Sequence, residues 1–128
     1  MIKFSVKGKP QPKQRPRVTK YGTFTPKQTV EYERLIGWTY LANKGKKHSG
    51  ALVMNIRVVF KIPKTRKDLV VGQAHTQRPD LDNIAKIYND SLNGVAYDDD
   101  CQISTINATK EWGLSDFVEV EIREVMNG

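Results

Sequence analysis

Ile2, Phe4 and Val6 alternate with Lys3, Ser5 and Lys7, the period-two pattern of a strand with one buried face. The cleanest alternation lies further on, where Leu52, Met54, Ile56, Val58, Phe60 and Ile62 interleave with Val53, Asn55, Arg57, Val59 and Lys61. As the cleanest strand signal in the chain, it is expected to be central, ended by Pro63. A third strand is expected near Gln102–Lys110. A last one follows the Gly113 turn, with Val118, Val120 and Ile122 alternating with Glu119, Glu121 and Arg123. These two read as an antiparallel hairpin.

Between the strands the period changes to that of a helix. Thr25-Pro26-Lys27-Gln28 is a good helix start, with Thr25 as cap, Pro26 in the first turn and Gln28 completing a capping box. That helix should run to about Asn43, with Tyr32, Leu35, Ile36, Trp38, Thr39 and Leu41 turned to the core. The exposed turn beyond it, Lys44 to Lys47, should leave His48 at the surface. A second helix opens at Pro79-Asp80, carries Leu81, Ile84, Ala85, Tyr88 and Leu92 at core spacing, and stops at Asn93-Gly94. The order strand, helix, strand, helix, strand, strand predicts one α+β domain over residues 1–128, a small mixed sheet packed with two helices.

Two stretches fit neither period. Gly8 to Arg17 holds three prolines and Lys9, Lys13, Arg15 and Arg17, so it is extended, stiff and basic. With Lys20 it forms a Pro-rich basic segment over 8–20. Residues 63–79 form a long loop whose first half carries Lys64, Arg66 and Lys67 and whose end carries Arg78. Mobility with DNA contact is expected of it.

Charge gives these segments a purpose. The chain has a net charge of +7, and residues 1–30 hold eight Lys or Arg before the first acidic residue, Glu31. A cationic face of this kind suits the phosphates of nucleic acid, with Lys9, Lys13, Arg15, Arg17, Lys20, Lys64, Arg66, Lys67 and Arg78 as the candidate contacts. The single Cys101 excludes an internal disulfide and a cysteine-built zinc site, and fits a reducing cytoplasm. No apolar run approaches the ~18 residues that read as a membrane span. There is no P-loop for a nucleotide cofactor, no G-x-S-x-G and no H-E-x-x-H.

Against this basic background, six of the fourteen acidic residues fall within positions 78–102. Repulsion among them calls for compensation, for which an oxygen-ligated divalent cation is the simplest candidate. Asp80 and Asp82 sit together at a helix entry, where unpaired amides favour ionised carboxylates. Asp100 is expected to return to the same volume from the following strand, and Lys86, one turn after Asp82, to meet a phosphate oxygen. Each residue also has a plainer reading: Asp80 as a cap, Asp82–Lys86 as an i,i+4 pair, Asp98-Asp99-Asp100 as a solvated turn. A nucleic-acid-binding module without catalysis stays open on these residues. A PD-(D/E)xK nuclease fits less well, because Ala108-Thr109-Lys110 lacks the acid.

The set Arg78-Pro79-Asp80-Leu81-Asp82-Asn83, Lys86, Asp90-Ser91-Leu92-Asn93-Gly94 and Asp99-Asp100-Cys101-Gln102-Ile103 resembles the RusA family of Holliday-junction resolvases, especially those of phages and prophages. Gly8-x-Pro10-x-Pro12-Lys13-x-Arg15-Pro16-Arg17 is similar to the opening of that family. The resemblance implies a homodimeric endodeoxyribonuclease, dependent on Mg2+ or Mn2+, that resolves four-way DNA junctions by paired symmetric cuts. It implies metal-binding roles for Asp80, Asp82 and Asp100, with Asp99 as the neighbouring acid, and a catalytic role for Lys86.

Overall fold

The computed structural model describes residues 1–125. Its elements are β1 (Ile2–Lys7), β2 (Arg17–Thr19), β3 (Gly22–Phe24), α1 (Lys27–Ala42), β4 (Leu52–Lys61), α2 (Leu81–Ser91), β5 (Ile103–Gly113) and β6 (Phe117–Glu124). The main sheet has the order β1–β6–β4–β5, with β4 parallel to β5 and antiparallel to β6, and β1 antiparallel to β6. The predicted α+β class and the central place of β4 both hold. The predicted hairpin of the last two strands does not, because β4 lies between β5 and β6. The reason is hydrophobic: β4 is buried on both faces at Val53, Val58 and Val59 and so requires a neighbour on each edge.

Between buried Val53 and Val59, the face of the sheet away from the helices carries polar pairs, among them Arg57–Glu111 at 2.5 Å and Asn55 Nδ2 to Glu121 Oε1 at 3.1 Å. The inner residues Phe4, Val6, Met54, Ile56, Phe60, Val118, Val120 and Ile122 pack with both helices. Ile84, Ala85, Ile87, Tyr88 and Leu92 supply the apolar side of α2. Each such side chain contributes about 1.5–3 kcal/mol when fully buried. Tyr32 and Tyr88 join α1 to α2 through an edge-on ring contact and a 2.6 Å bond between their hydroxyls.

Helix α1 differs from its sequence reading in two ways. Pro26 is the cap residue and no side-chain capping bond forms, so the Thr25–Gln28 box is absent. Its buried stripe is Thr29, Tyr32, Ile36 and Tyr40, while Leu35, Trp38 and Leu41 are exposed and Thr39 bonds back to Leu35 O. The apolar residues of this helix surround more than half its circumference, and the tyrosines win the core because their hydroxyls find partners there, Tyr40 on Lys46 O and Tyr32 on Tyr88. His48 is buried, not at the surface, with Nδ1 2.9 Å from Glu124 Oε1.

The loop over 63–79 is tied down along the outer edge of β5. Gly72 N donates to Trp112 O at 2.8 Å, Trp112 N to Gln73 O at 2.9 Å, and His75 N to Lys110 O at 2.9 Å. The His75 ring is buried between Phe60 and Trp112, stacked on the latter at 4.0 Å between centroids. This edge pairing at residues 72–75 satisfies backbone groups that a bare sheet edge leaves open. In the basic segment, β2 and β3 form a small exposed ribbon closed at Gly22, where φ is +127°.

Candidate active site

The site begins where α2 does. Asp80 is the cap residue, in extended conformation, yet its carboxylate makes no capping bond. Asp82 follows in the first turn and accepts only from its neighbour Asn83 N, at 3.0 Å. Among the described residues, Asp80, Asp82 and Lys86 form no ion pair. The two plainer readings, a capping Asp80 and an Asp82–Lys86 pair, are therefore not what the structure contains. Both carboxylates and the ammonium stand exposed on one end and one side of α2.

The basic segment lies beside them. Lys13 N donates to Asn83 O at 2.9 Å, and Lys9, Pro10, Pro12, Arg78, Asp80 and Asn83 line an open cleft of about 430 Å³. Lys13 itself is not a free cation: its Nζ is 2.9 Å from Glu33 and 3.4 Å from Asp90. Burial works against its charge, but these two carboxylates outweigh that and raise its pKa. Lys13 thus fastens the segment to both helices. Lys9, Arg15, Arg17, Lys20, Lys64, Lys67 and Arg78 are exposed, while Arg66 is held by Asp68 at 2.9 Å, which lowers the Asp68 pKa to about 2.

The turn before β5 separates three acids that the sequence leaves equivalent. Asp98 pairs with Lys47 at 2.7 Å. Asp99 caps the 3-10 turn Asp100–Gln102, accepting from Cys101 N at 3.1 Å, and this bond lowers its pKa. Gln102 completes that cap and anchors the turn, donating to His48 O at 3.2 Å and Gly50 O at 3.0 Å. Asp100 has no cation of its own, and the adjacent Asp99, partial burial and the charge of Asp90 raise its pKa.

Asp100 does not return to Asp80 and Asp82 within the chain. It lies near Asp90 and Tyr97, whose hydroxyl binds Asn89 O at 2.7 Å, at the C-terminal end of α2. Asp80 stands at the other end, next to Lys110 on β5. The 11 residues of α2 between them span about 16 Å. The expected convergence fails because α2 runs back along the parallel β4–β5 crossover, carrying the chain from the Lys110 end of β5 to the Ile103 end. Among the described residues, no three His, Cys, Asp or Glu groups stand close enough to hold one metal ion.

Sequence reasoning missed Lys110. Its Nζ donates to Pro79 O at 2.7 Å and to Gln77 O, directly before Asp80. Burial lowers its pKa, and the charge of Asp80 opposes that shift. A lysine among Ala108, Thr109 and Glu111 gives no periodic signal, and only the loop folding onto β5 reveals it.

The RusA endodeoxyribonuclease model matches residues 7–123, which includes the basic segment, α2 and the acidic turn. The chain belongs to the RusA family. A Bacillus subtilis (strain 168) protein, YqaN, described as uncharacterized, is 29% identical over 142 residues, covering 97% of this chain and 96% of its own length. RusA proteins are endodeoxyribonucleases that act on Holliday junctions, and membership makes this chain a DNA hydrolase by family. Among the described residues no helix is long and apolar enough to cross a membrane.

Proposed function

We propose that this RusA protein is a homodimeric, Mg2+-dependent resolvase that cuts four-way DNA junctions by paired symmetric incisions during recombination and repair in the cytoplasm, with Mn2+ as an alternative ion. The observation that carries this reading is the unengaged state of Asp80, Asp82 and Lys86 beside a cationic cleft. Two exposed carboxylates and an ammonium that pair with no protein counter-charge among the described residues are free to take a metal ion and a phosphate. Asp80 and Asp82 are assigned to the metal. Lys86 is assigned to a phosphate oxygen, where an ammonium offsets developing negative charge.

One protomer supplies only two of the three proposed metal carboxylates at one place. A second copy related by a two-fold axis across α2 reverses the helix direction and brings the partner's Asp100 toward Asp80 and Asp82. Such pairing produces two equal sites, as two equal strands of a two-fold junction require. The apolar side chains of Trp38 and Leu41, exposed near the Asp90 end of α2, offer surface for that contact. Asp99 is left with its capping duty.

One observation favours a second reading, a DNA-binding module without catalysis: the separation of Asp100 from the other acids in a single chain. Incubation with a synthetic mobile four-way junction, with magnesium or with EDTA, distinguishes the two. Magnesium-dependent symmetric nicks in the junction, absent from a linear duplex control, support the resolvase. Salt-sensitive binding without incision in either buffer supports the module.

A further inference from the structure

We infer that Lys110 is a positioning residue, fixing the backbone that presents Asp80; this rests on the nuclease reading above. Lys110 projects from β5 toward the end of the long loop, and its ammonium donates to two carbonyls in one short segment, Gln77 O and Pro79 O. The charge of nearby Asp80 acts on the same ammonium. One cation thus gathers the chain immediately before the catalytic helix.

The arrangement is specific in what it holds. Pro79 has no N–H, so the entry to α2 lacks one of the backbone donors that could lock it by pairing. His75 N on Lys110 O fixes the chain five residues before Asp80, and Ile84 N on Asp80 O, at 3.3 Å, fixes it after. Between those points Gln77 N donates to His75 Nδ1 at 3.2 Å, and the Lys110 ammonium ties the carbonyls of Gln77 and Pro79. The ammonium is half-buried beside an open cleft of about 570 Å³ lined by His75, Arg78, Asp80 and Leu81, and its bonds to the two carbonyls are charge-assisted. Displacement by about 1 Å at a reacting group can cost 10²-fold in rate, so a small shift of this segment is enough to matter.

Lys110→Met keeps the aliphatic stem and removes the donors, while Lys110→Arg returns donors on a longer arm. The full-length variants are compared for cleavage of a four-way junction under single-turnover and multiple-turnover conditions. Mn2+ binding by electron paramagnetic resonance and exchange of the His75 and Ile84 amides, the bonded N–H groups that flank the segment, are measured alongside. We expect Lys110→Met to lower kcat by about 100-fold with KM within twofold, to weaken Mn2+ binding by about tenfold, and to speed exchange of the His75 and Ile84 amides. Lys110→Arg should recover part of each. Unchanged kcat, Mn2+ binding and amide exchange in Lys110→Met overturn the assignment. So does a uniform loss of thermal stability, junction binding and rate that arginine fails to rescue. Failure of the unsubstituted protein to cut junctions counts against the nuclease reading instead, and the exchange data then still decide whether Lys110 holds the segment.

Discussion

Asp80 and Asp100 occupy opposite ends of α2, one beside Lys110 and the other beside Asp90 and Tyr97. The helix between them is about 16 Å long, several times the reach of a carboxylate to a shared ion. Whatever the acids do together therefore depends on how copies of the chain meet, and what each does alone depends on its own neighbours.

Among the described residues, Asp82 has one hydrogen-bond partner, the neighbouring amide, and pairs with no cation. Asp82→Asn should therefore fold as the parent does. Its cleavage rate should fall below detection, while junction binding is kept or tightened because a negative charge near phosphates is gone. Gel-shift and single-turnover assays on the same preparation check both halves. Parental cleavage by the variant removes Asp82 from the proposed site.

The basic residues should divide by their present partners. Lys9, Arg15 and Arg17 are exposed and free to replace condensed counterions, whereas Lys13 already serves Glu33 and Asp90. Alanine at a true phosphate contact lowers the slope of log K against log salt by about 0.9. Substituting Arg15 or Arg17 should give such a change, and Lys13→Met should instead lower thermal stability with little change in slope. Binding titrations on a four-way junction at four salt concentrations read this directly.

Glu124 links the end of β6 to buried His48, and that hydrogen bond holds its pKa below the ordinary 4.5. A depressed carboxyl stabilises the fold fully above its unfolded value and ceases to do so as pH falls through its folded value. Stability should thus decline below about pH 4.5, and Glu124→Gln should flatten part of that decline. Urea midpoints between pH 3 and 7, roughly spanning this window, measure it. Equal acid sensitivity in parent and variant places the titrating group elsewhere.

Much of the scaffold was legible from periodicity. The clean alternation over Leu52–Lys61 forecast a central strand, and the i, i+4, i+8 spacing of Ile84, Tyr88 and Leu92 forecast the buried side of α2. The partner of each strand was not legible, because β5 and β6 are adjacent in sequence whether or not β4 enters between them. On α1, Trp38 and Leu41 read as core because apolarity says nothing about which side faces inward when apolar residues surround the helix. The acids were found by charge density, but their grouping depended on the direction of α2, a property of the crossover. Lys110 and Lys13 took their roles from loops folding back, contacts between residues 20 to 77 positions apart that leave no local trace.

The most direct test of the account is complementation between Asp82→Asn and Asp100→Asn. Each variant alone should be inactive on a four-way junction. Co-expressed with different affinity tags and purified through both, the mixed dimer contains one site with Asp82 from one copy and Asp100 from the other. The account predicts that this dimer regains magnesium-dependent nicking of one strand. A mixed dimer that forms, binds the junction and makes no cut, while the unsubstituted protein cleaves, contradicts it.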